Sequence, residues 1–219
     1  MSALQATGGK IFASICSLPT WGPGALHMRD DPKVHGTDAE RKLFTTDNQA
    51  WRTTAGKMAE HGIGVDMFVA APGGTYVDVA TIGRSSAFLS AAESMDEFAH
   101  AVTRETGYQA MMKVRCSNGL QVSAYHGNFI QHALGADLEI GSIDADKAIG
   151  VMFSYDGKLD PKLDAHFQTA LLYTTAEGQR RVRCINVVAA VNEGGLETMK
   201  FIDQDCVVSI MAKEGKLAT

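Results

Sequence analysis

At Gly107 the hydrophobic period of this chain changes, and with it the kind of structure the chain can form. Upstream, short apolar runs alternate with segments of helical spacing. Lys10–Leu18 (KIFASICSL) is an almost unbroken apolar run between Gly8-Gly9 and Pro19, the pattern of a strand buried on both faces. A helix follows that places Trp51, Thr54, Ala55, Met58 and Ala59 on one side and stops at Gly62, a residue suited to the left-handed backbone after a helix end. Gly64–Ala71 (GVDMFVAA) reads as a second buried strand, ended by a turn at Pro72-Gly-Gly74. Strand, helix and strand in this order predict a right-handed crossover and a parallel sheet. Two helix starts carry capping-box spacing, Thr37-x-x-Glu40 and Ser94-x-x-Glu97. The second predicts a helix with Met95, Phe98, Ala99 and Val102 on its buried face, closed by Gly107.

Downstream the period is two. Met112, Val114 and Cys116 alternate with Lys113 and Arg115; after Asn118-Gly119, Leu120, Val122 and Ala124 alternate with Gln121, Ser123 and Tyr125. Alternation on both sides of Asn-Gly predicts a hairpin. Asp156-Gly157 and Glu177-Gly178 are further turn signals, the second between two strands. This half reads as antiparallel β, so the chain holds at least two structural units.

Composition narrows the function. With 219 residues and 45% apolar content the chain can bury a core of ordinary size. A formal net charge of −5 argues against a general nucleic-acid binder, whose affinity comes from clustered Lys and Arg. No apolar run reaches the length of a membrane span, and the N-terminus lacks the regions of a secretory signal, so a cytosolic protein is expected. Four scattered cysteines signal neither zinc nor disulfides; Cys16, Cys116 and Cys184 are expected to pack as small hydrophobes inside strands.

Catalytic motifs are absent: there is no nucleophile elbow, phosphate loop or dinucleotide fingerprint. None of the seven histidines has ligand spacing, and His126, His132 and Asp137 would share a metal only by accident of the fold. Asp66 inside its apolar strand reads as a hydrogen-bonded structural carboxylate. The basic strands are more informative. On a strand, Lys113 and Arg115 face the same way about 7 Å apart, opposite the core residues, which outlines a carboxylate receptor. The same spacing recurs at Arg181 and Arg183. Solvation, or cross-strand pairing with acidic residues such as Glu139, is the alternative for both pairs.

The succession GGKIF, LPTWGPG, RDD, TDAERKLF, GVDMFVAAP, VTRETGYQA, MKVRCSNGLQVSAYHGNF, FQTALLYTTAEGQRRVRC and DQDCVVSIMAK runs in register along nearly the whole chain. It resembles Sec24, the cargo-selecting subunit of the COPII vesicle coat. The resemblance implies an α+β multi-domain fold: residues 1–108 a partial von Willebrand A-type α/β trunk, 109–195 an antiparallel β-sandwich and 196–219 the start of a helical domain. It implies a non-enzymatic cargo adaptor that reads export signals in transport from the endoplasmic reticulum to the Golgi. The partners would be a Sec23-like coat subunit and the cytosolic tails of cargo and SNAREs carrying short acidic signals, with the membrane reached through the coat and no nucleic acid. The location would be cytoplasmic, peripheral on the endoplasmic reticulum membrane and on coated vesicles. No cofactor is expected; the family's zinc finger has no counterpart in these residues. In the acidic-signal pocket of the family, the basic pair matches Lys113 and Arg115 and a leucine matches Leu172, while Arg181 and Arg183 match a basic segment of unassigned role.

The resemblance breaks at Ser85–His100 (SSAFLSAAESMDEFAH), where the family has a longer stretch after the Thr-Ile-Gly helix. The break implies loss of the last trunk strand and an altered surface toward Sec23. Alternatives are a free-standing von Willebrand A-type domain, which would need an Asp-x-Ser-x-Ser metal motif that is absent here, a hydrolase, and a truncated product without function.

Overall fold

The computed structural model describes residues 2–46, 48–83, 86–90, 94–133, 135–193 and 195–218. Strands β1 (Gly9–Ile15) and β2 (Ile63–Val69) pair in parallel, joined through helix α1 (Gln49–Glu60), as their apolar runs predict. The first six residues of β2 are buried, which fits a central strand covered on both faces. Asn48 opens α1, its side-chain oxygen accepting from the amides of Ala50 and Trp51. The Trp51 indole donates to the Gly24 carbonyl at 2.8 Å, and the helix ends as Gly62 enters the left-handed region (φ 66°). Trp51, Ala55, Met58 and Ala59 are half-buried, whereas Thr54 faces solvent. At Thr37 the cap is shifted by one residue. The Thr37 hydroxyl accepts from Ala39, the Glu40 carboxylate accepts from Gly36, and a 3-10 helix rather than an α-helix follows over Asp38–Phe44.

The segment at Ser85–His100 corrects an expectation. It supplies the third strand, β3 (Ser86–Ser90), parallel to β2 on the side away from β1. The stretch, short as it is, still adds a strand to the sheet; Ser85 and residues 91–93 lie outside the described residues. The short helix α2 (Val79–Ile82) precedes it and α3 (Ser94–Thr103) follows. The proposed cap at Ser94 and Glu97 and the side chain of Met95 also lie outside what is described. Phe98 packs edge-on against Phe12 and Phe68, at 5.9 and 5.2 Å between ring centroids. Phe98 nonetheless stays 43% exposed, Ala99 and Val102 are likewise exposed instead of buried, and Ala101 takes the inner position.

Six strands form the second unit: β4 (Thr106–Cys116), β5 (Leu120–His126), β6 (Leu138–Asp144), β7 (Gly150–Tyr155), β8 (Ala165–Thr175) and β9 (Arg180–Ala189). One antiparallel sheet has the order β6-β4-β8-β9, and β5 pairs with β7 in a second. Ala110, Met112, Val114, Leu138 and Ile140 form the core between them, with Val122, Tyr125, Val151, Phe153 and Leu171 packed against it. The expected hairpin at Asn118-Gly119 is therefore corrected. The turn exists, with Gly119 at φ 93°, but it carries the chain from one sheet to the other, and β4 and β5 face each other across the core instead of pairing. The hairpin at Glu177-Gly178 does form and joins β8 to β9.

Two cysteine expectations also change. Cys16 lies just beyond β1 and Cys184 on the exposed strand β9, so both thiols face solvent, and only Cys116 is packed. Beyond the sandwich come α4 (Gly195–Thr198) and α5 (Gln204–Ala218). Helix α5 reaches back to β5, where Glu214 Oε1 lies 2.9 Å from Nε2 of the buried His126.

The two units meet through β2 and β6. Gly64 in β2 abuts Ser142 in β6, and Gly141 abuts the Ile63 carbonyl, so neither glycine has room for a β-carbon. Beside this seam lies a buried charge cluster. Lys10 sits 2.7 Å from Asp66 and 3.7 Å from Asp144; Arg104 reaches Asp66, Asp144 and Asp146 at 3.1, 3.0 and 3.3 Å. Asp66 is thus structural, and its partners are cations from both sides of the joint.

Candidate functional site

The register of the larger sheet decides what stands beside the basic pair. Met111, Lys113 and Arg115 of β4 lie opposite Leu172, Ala170 and Gln168 of β8. Residues directly opposite share a face, so Lys113, Arg115 and Leu172 are on one side and the core residues Met112 and Val114 on the other. A bulge brings this about. Tyr108 opposes Thr174 but Met111 already opposes Leu172, so Gln109 and Ala110 together stand against one residue of β8. Gln109 takes the left-handed backbone of the bulge (φ 49°), and its carbonyl accepts from the Arg180 guanidinium at 2.7 Å. Without the extra residue Leu172 would share the face of Ala110 and Met112.

The two cations differ in their surroundings. Strand β6 pairs with β4 only as far as Met112, and the residue before β6, Asp137, meets Lys113 at 2.6 Å. Both side chains of that pair are about two-fifths exposed, at 39% and 40%. Lys113 also lines a groove of about 200 Å³ with Val122, Tyr125 and Gln131. Burial pushes the Tyr125 phenol up, against a smaller opposing effect of a hydrogen bond from the Val114 backbone and of the Lys113 charge. Arg115 is exposed and, among the described residues, makes no ion pair. It lines a second groove of about 330 Å³ with Ser117, His166, Gln168 and Asn186. Next to it, burial pushes the Cys116 thiol pKa up, and the thiol donates to the Leu120 carbonyl at 3.2 Å.

Arg181 and Arg183 do not extend this surface. They oppose Tyr173 and Leu171, whose side chains pack toward the core, so the pair stands on the other face of the sheet from Lys113, Arg115 and Leu172. Their spacing repeats that of Lys113 and Arg115, but register puts them on the other side. On β9 even that inner face is open, and both arginines are exposed, with Arg181 held by the Gln179 side chain at 2.7 Å.

His126 and His132 part company: His126 meets Glu214, and His132 meets Glu139 at 3.2 Å. No group of three or more metal-ligating side chains occurs among the described residues. The sequence places Asp137 only as a metal-ligand candidate and Asp66 as a structural carboxylate, and gives no role to Lys10, Arg104 or Arg180. For Asp137 the signal was an acidic residue placed directly before a strand that neighbours the basic one.

The geometry can be set beside that of known proteins. The Sec23/Sec24 trunk domain matches residues 1–100 and the Sec23/Sec24 beta-sandwich domain residues 107–192. The protein transport protein SEC24 B of Arabidopsis thaliana is 33% identical over 97% of this chain and 21% of its own length. SED5-binding protein 3 of Saccharomyces cerevisiae is 34% identical over 94% of this chain and 23% of its own length. The human protein Sec24D is 31% identical over 97% and 22%. The crystal structure of the human COPII-coat protein Sec24c superposes with a TM-score of 0.89 at 30% identity, covering 99% of this chain and 32% of that one. The chain thus spans about a fifth of the length of the curated relatives it matches. Matched in sequence along both units and in backbone over almost every residue, the chain belongs to the Sec24 family.

Proposed function

We propose that this chain is the cargo-reading portion of a COPII coat adaptor, with residues 1–108 as partial trunk, 109–195 as sandwich and 196–219 as the opening of a helical domain. Its role is recognition without catalysis. The observation that carries the reading is the common face of Lys113, Arg115 and Leu172. An extended peptide with two acidic residues separated by one residue matches the strand spacing of the cations, and an apolar neighbour packs beside Leu172. Each charge-assisted contact is worth on the order of 1–3 kcal/mol where desolvated and less where exposed, so a single site binds weakly and is sensitive to salt. Polymerisation of a coat around many copies raises the effective affinity. A Sec23-like subunit and the cytosolic tails of cargo and SNAREs are the partners of this reading, on the cytoplasmic side of the endoplasmic reticulum membrane. No helix among the described residues is long and apolar enough to cross a membrane.

Fluorescence anisotropy with a labelled diacidic peptide tests the proposal. Replacing Lys113 and Arg115 together by Ala should abolish binding with the circular dichroism spectrum unchanged, since neither side chain enters the core. Leu172→Trp should block the face sterically while keeping its charge. Binding by the double variant equal to the parent's, or affinity indifferent to salt, would show that the face is merely solvated.

A further inference from the structure

The two cations of the basic strand are not equally available. Arg115 is free of ion pairs among the described residues, while the Lys113 ammonium is already 2.6 Å from the carboxylate of Asp137. Asp137 comes from neither β4 nor β8. It is the last residue before β6, and it reaches Lys113 because β6 stops pairing with β4 at Met112 and leaves the next stretch of β4 open on that side. We infer that Asp137 acts as a built-in competitor for Lys113, occupying the position that an acidic residue of a bound peptide would take. The inference rests on the reading of this face as an acidic-peptide receptor and deepens it.

Three observations support the assignment. The contact is short, so the pair is formed in the unliganded protein. Both partners are about two-fifths exposed, so the pair is weak enough to be opened by a ligand. A lysine ammonium has three donors and could in principle hold two carboxylates, but its single positive charge is then shared, and the second carboxylate is repelled by the first. Binding accordingly begins at Arg115, whose groove is lined by Ser117, His166, Gln168 and Asn186, and is completed when the second acidic residue displaces Asp137 from Lys113. The competitor acts as a filter. A peptide with one acidic residue engages Arg115 alone, whereas one with two at the matching spacing has the means to open the pair, so selectivity for diacidic over monoacidic peptides arises within the adaptor itself.

The test is a set of anisotropy titrations on the full chain. One labelled peptide carries two acidic residues separated by one residue; the other has the second acidic residue replaced by its amide. Asp137→Asn keeps the shape of the side chain and removes the charge. Opening a pair of this exposure corresponds to about a two- to fivefold change in Kd. Asp137→Asn should therefore tighten the diacidic peptide two- to fivefold and leave the monoacidic peptide nearly unchanged. In a Lys113→Ala background the same substitution should have no effect, because nothing is left to compete for. Equal tightening in both backgrounds would make Asp137 a general source of negative potential and overturn the competitor role. Weaker binding by Asp137→Asn would show that Asp137 orients Lys113 for the ligand, which also overturns it. Binding by the parent that Lys113→Ala reduces but Asp137→Asn does not alter defeats the competitor alone. Absence of binding by the parent and by Asp137→Asn at low salt defeats the receptor reading underneath it. Circular dichroism of each variant excludes misfolding as the source of any loss.

Discussion

Arg104 should hold the two units of this chain together, and its loss can be given a magnitude. The residue lies between α3 and β4, and its guanidinium reaches Asp66 of β2 and Asp144 at the end of β6, so one side chain links the α/β sheet to the sandwich. Arg104, Asp66 and Asp144 are 13%, 7% and 12% exposed, so little water would replace the lost contacts. Arg104→Met keeps much of the stem and leaves two buried carboxylates to Lys10, at 2.7 and 3.7 Å, and to Lys147. Breaking a buried pair costs about 3–5 kcal/mol when the remaining charge is uncompensated. With Lys10 still present the remaining charge is partly compensated and the cost falls to the bottom of that range or just below it, about 2–3 kcal/mol. For a chain of this length each kcal/mol moves the melting midpoint by about 2–4 °C, so the variant should melt roughly 5–10 °C lower. Thermal melts followed by circular dichroism measure it, with Asp144→Asn completing a double-mutant cycle. Arg104→Met should cost less in the Asp144→Asn background, by at least about 1 kcal/mol. A shift under about 1 °C, or strict additivity, would mean that Arg104 contributes only as a packed stem.

Two further outcomes follow from the same kind of geometry. Asp78 is 3% exposed and accepts from Arg29 at 2.6 and 2.8 Å and from the Thr81 hydroxyl and amide. Burial pushes its carboxyl up, but the hydrogen bonds from Arg29 and Thr81 outweigh this and hold it below the ordinary carboxylate range. A depressed folded value gives stability that is complete above the unfolded value of about 3.9 and is lost as pH falls through the folded one. Urea midpoints between pH 7 and 3 should therefore fall less steeply below about pH 4 in Asp78→Asn than in the parent, and superimposable profiles would contradict this. At the seam between the units, Gly64→Ala would drive a β-carbon into the Ser142 side chain. A cost of about 1–3 kcal/mol is expected, with partial recovery when Ser142→Gly is added; a neutral Gly64→Ala would mean that β2 and β6 do not meet this closely.

The parts of this molecule that depend on local pattern were legible in its sequence, and those that depend on register were not. The unbroken runs at Lys10 and Gly64 were enough to place two parallel strands, since only a strand covered on both faces lacks alternation. Alternation around Asn118-Gly119 identified both strands and the turn, but a period of two is the same whether the next strand pairs with its neighbour or crosses to the facing sheet. The side on which Arg181 and Arg183 stand depends on pairing with β8. That Leu172 joins Lys113 depends on a bulge at Gln109, a residue whose type gives no hint of a left-handed backbone. Asp137 was noticed only as an unpromising metal ligand, because its nearness to Lys113 comes from where β6 stops, not from spacing along the chain. The family, in contrast, was carried by contiguous motifs and needed no register at all.

If acidic peptides are read on the face shared by Lys113, Arg115 and Leu172, the bound peptide can be mapped there. A diacidic peptide with a photoreactive group next to its acidic pair would be cross-linked to the full chain at low salt and the adducts located by mass spectrometry. Adducts should fall on Met111–Arg115 of β4 and on Gln168–Leu172 of β8, and should disappear with Lys113→Ala/Arg115→Ala. Adducts concentrated around Arg181 and Arg183, on the opposite face of the sheet, or adducts that survive the double substitution, would show that acidic peptides are not read on this face.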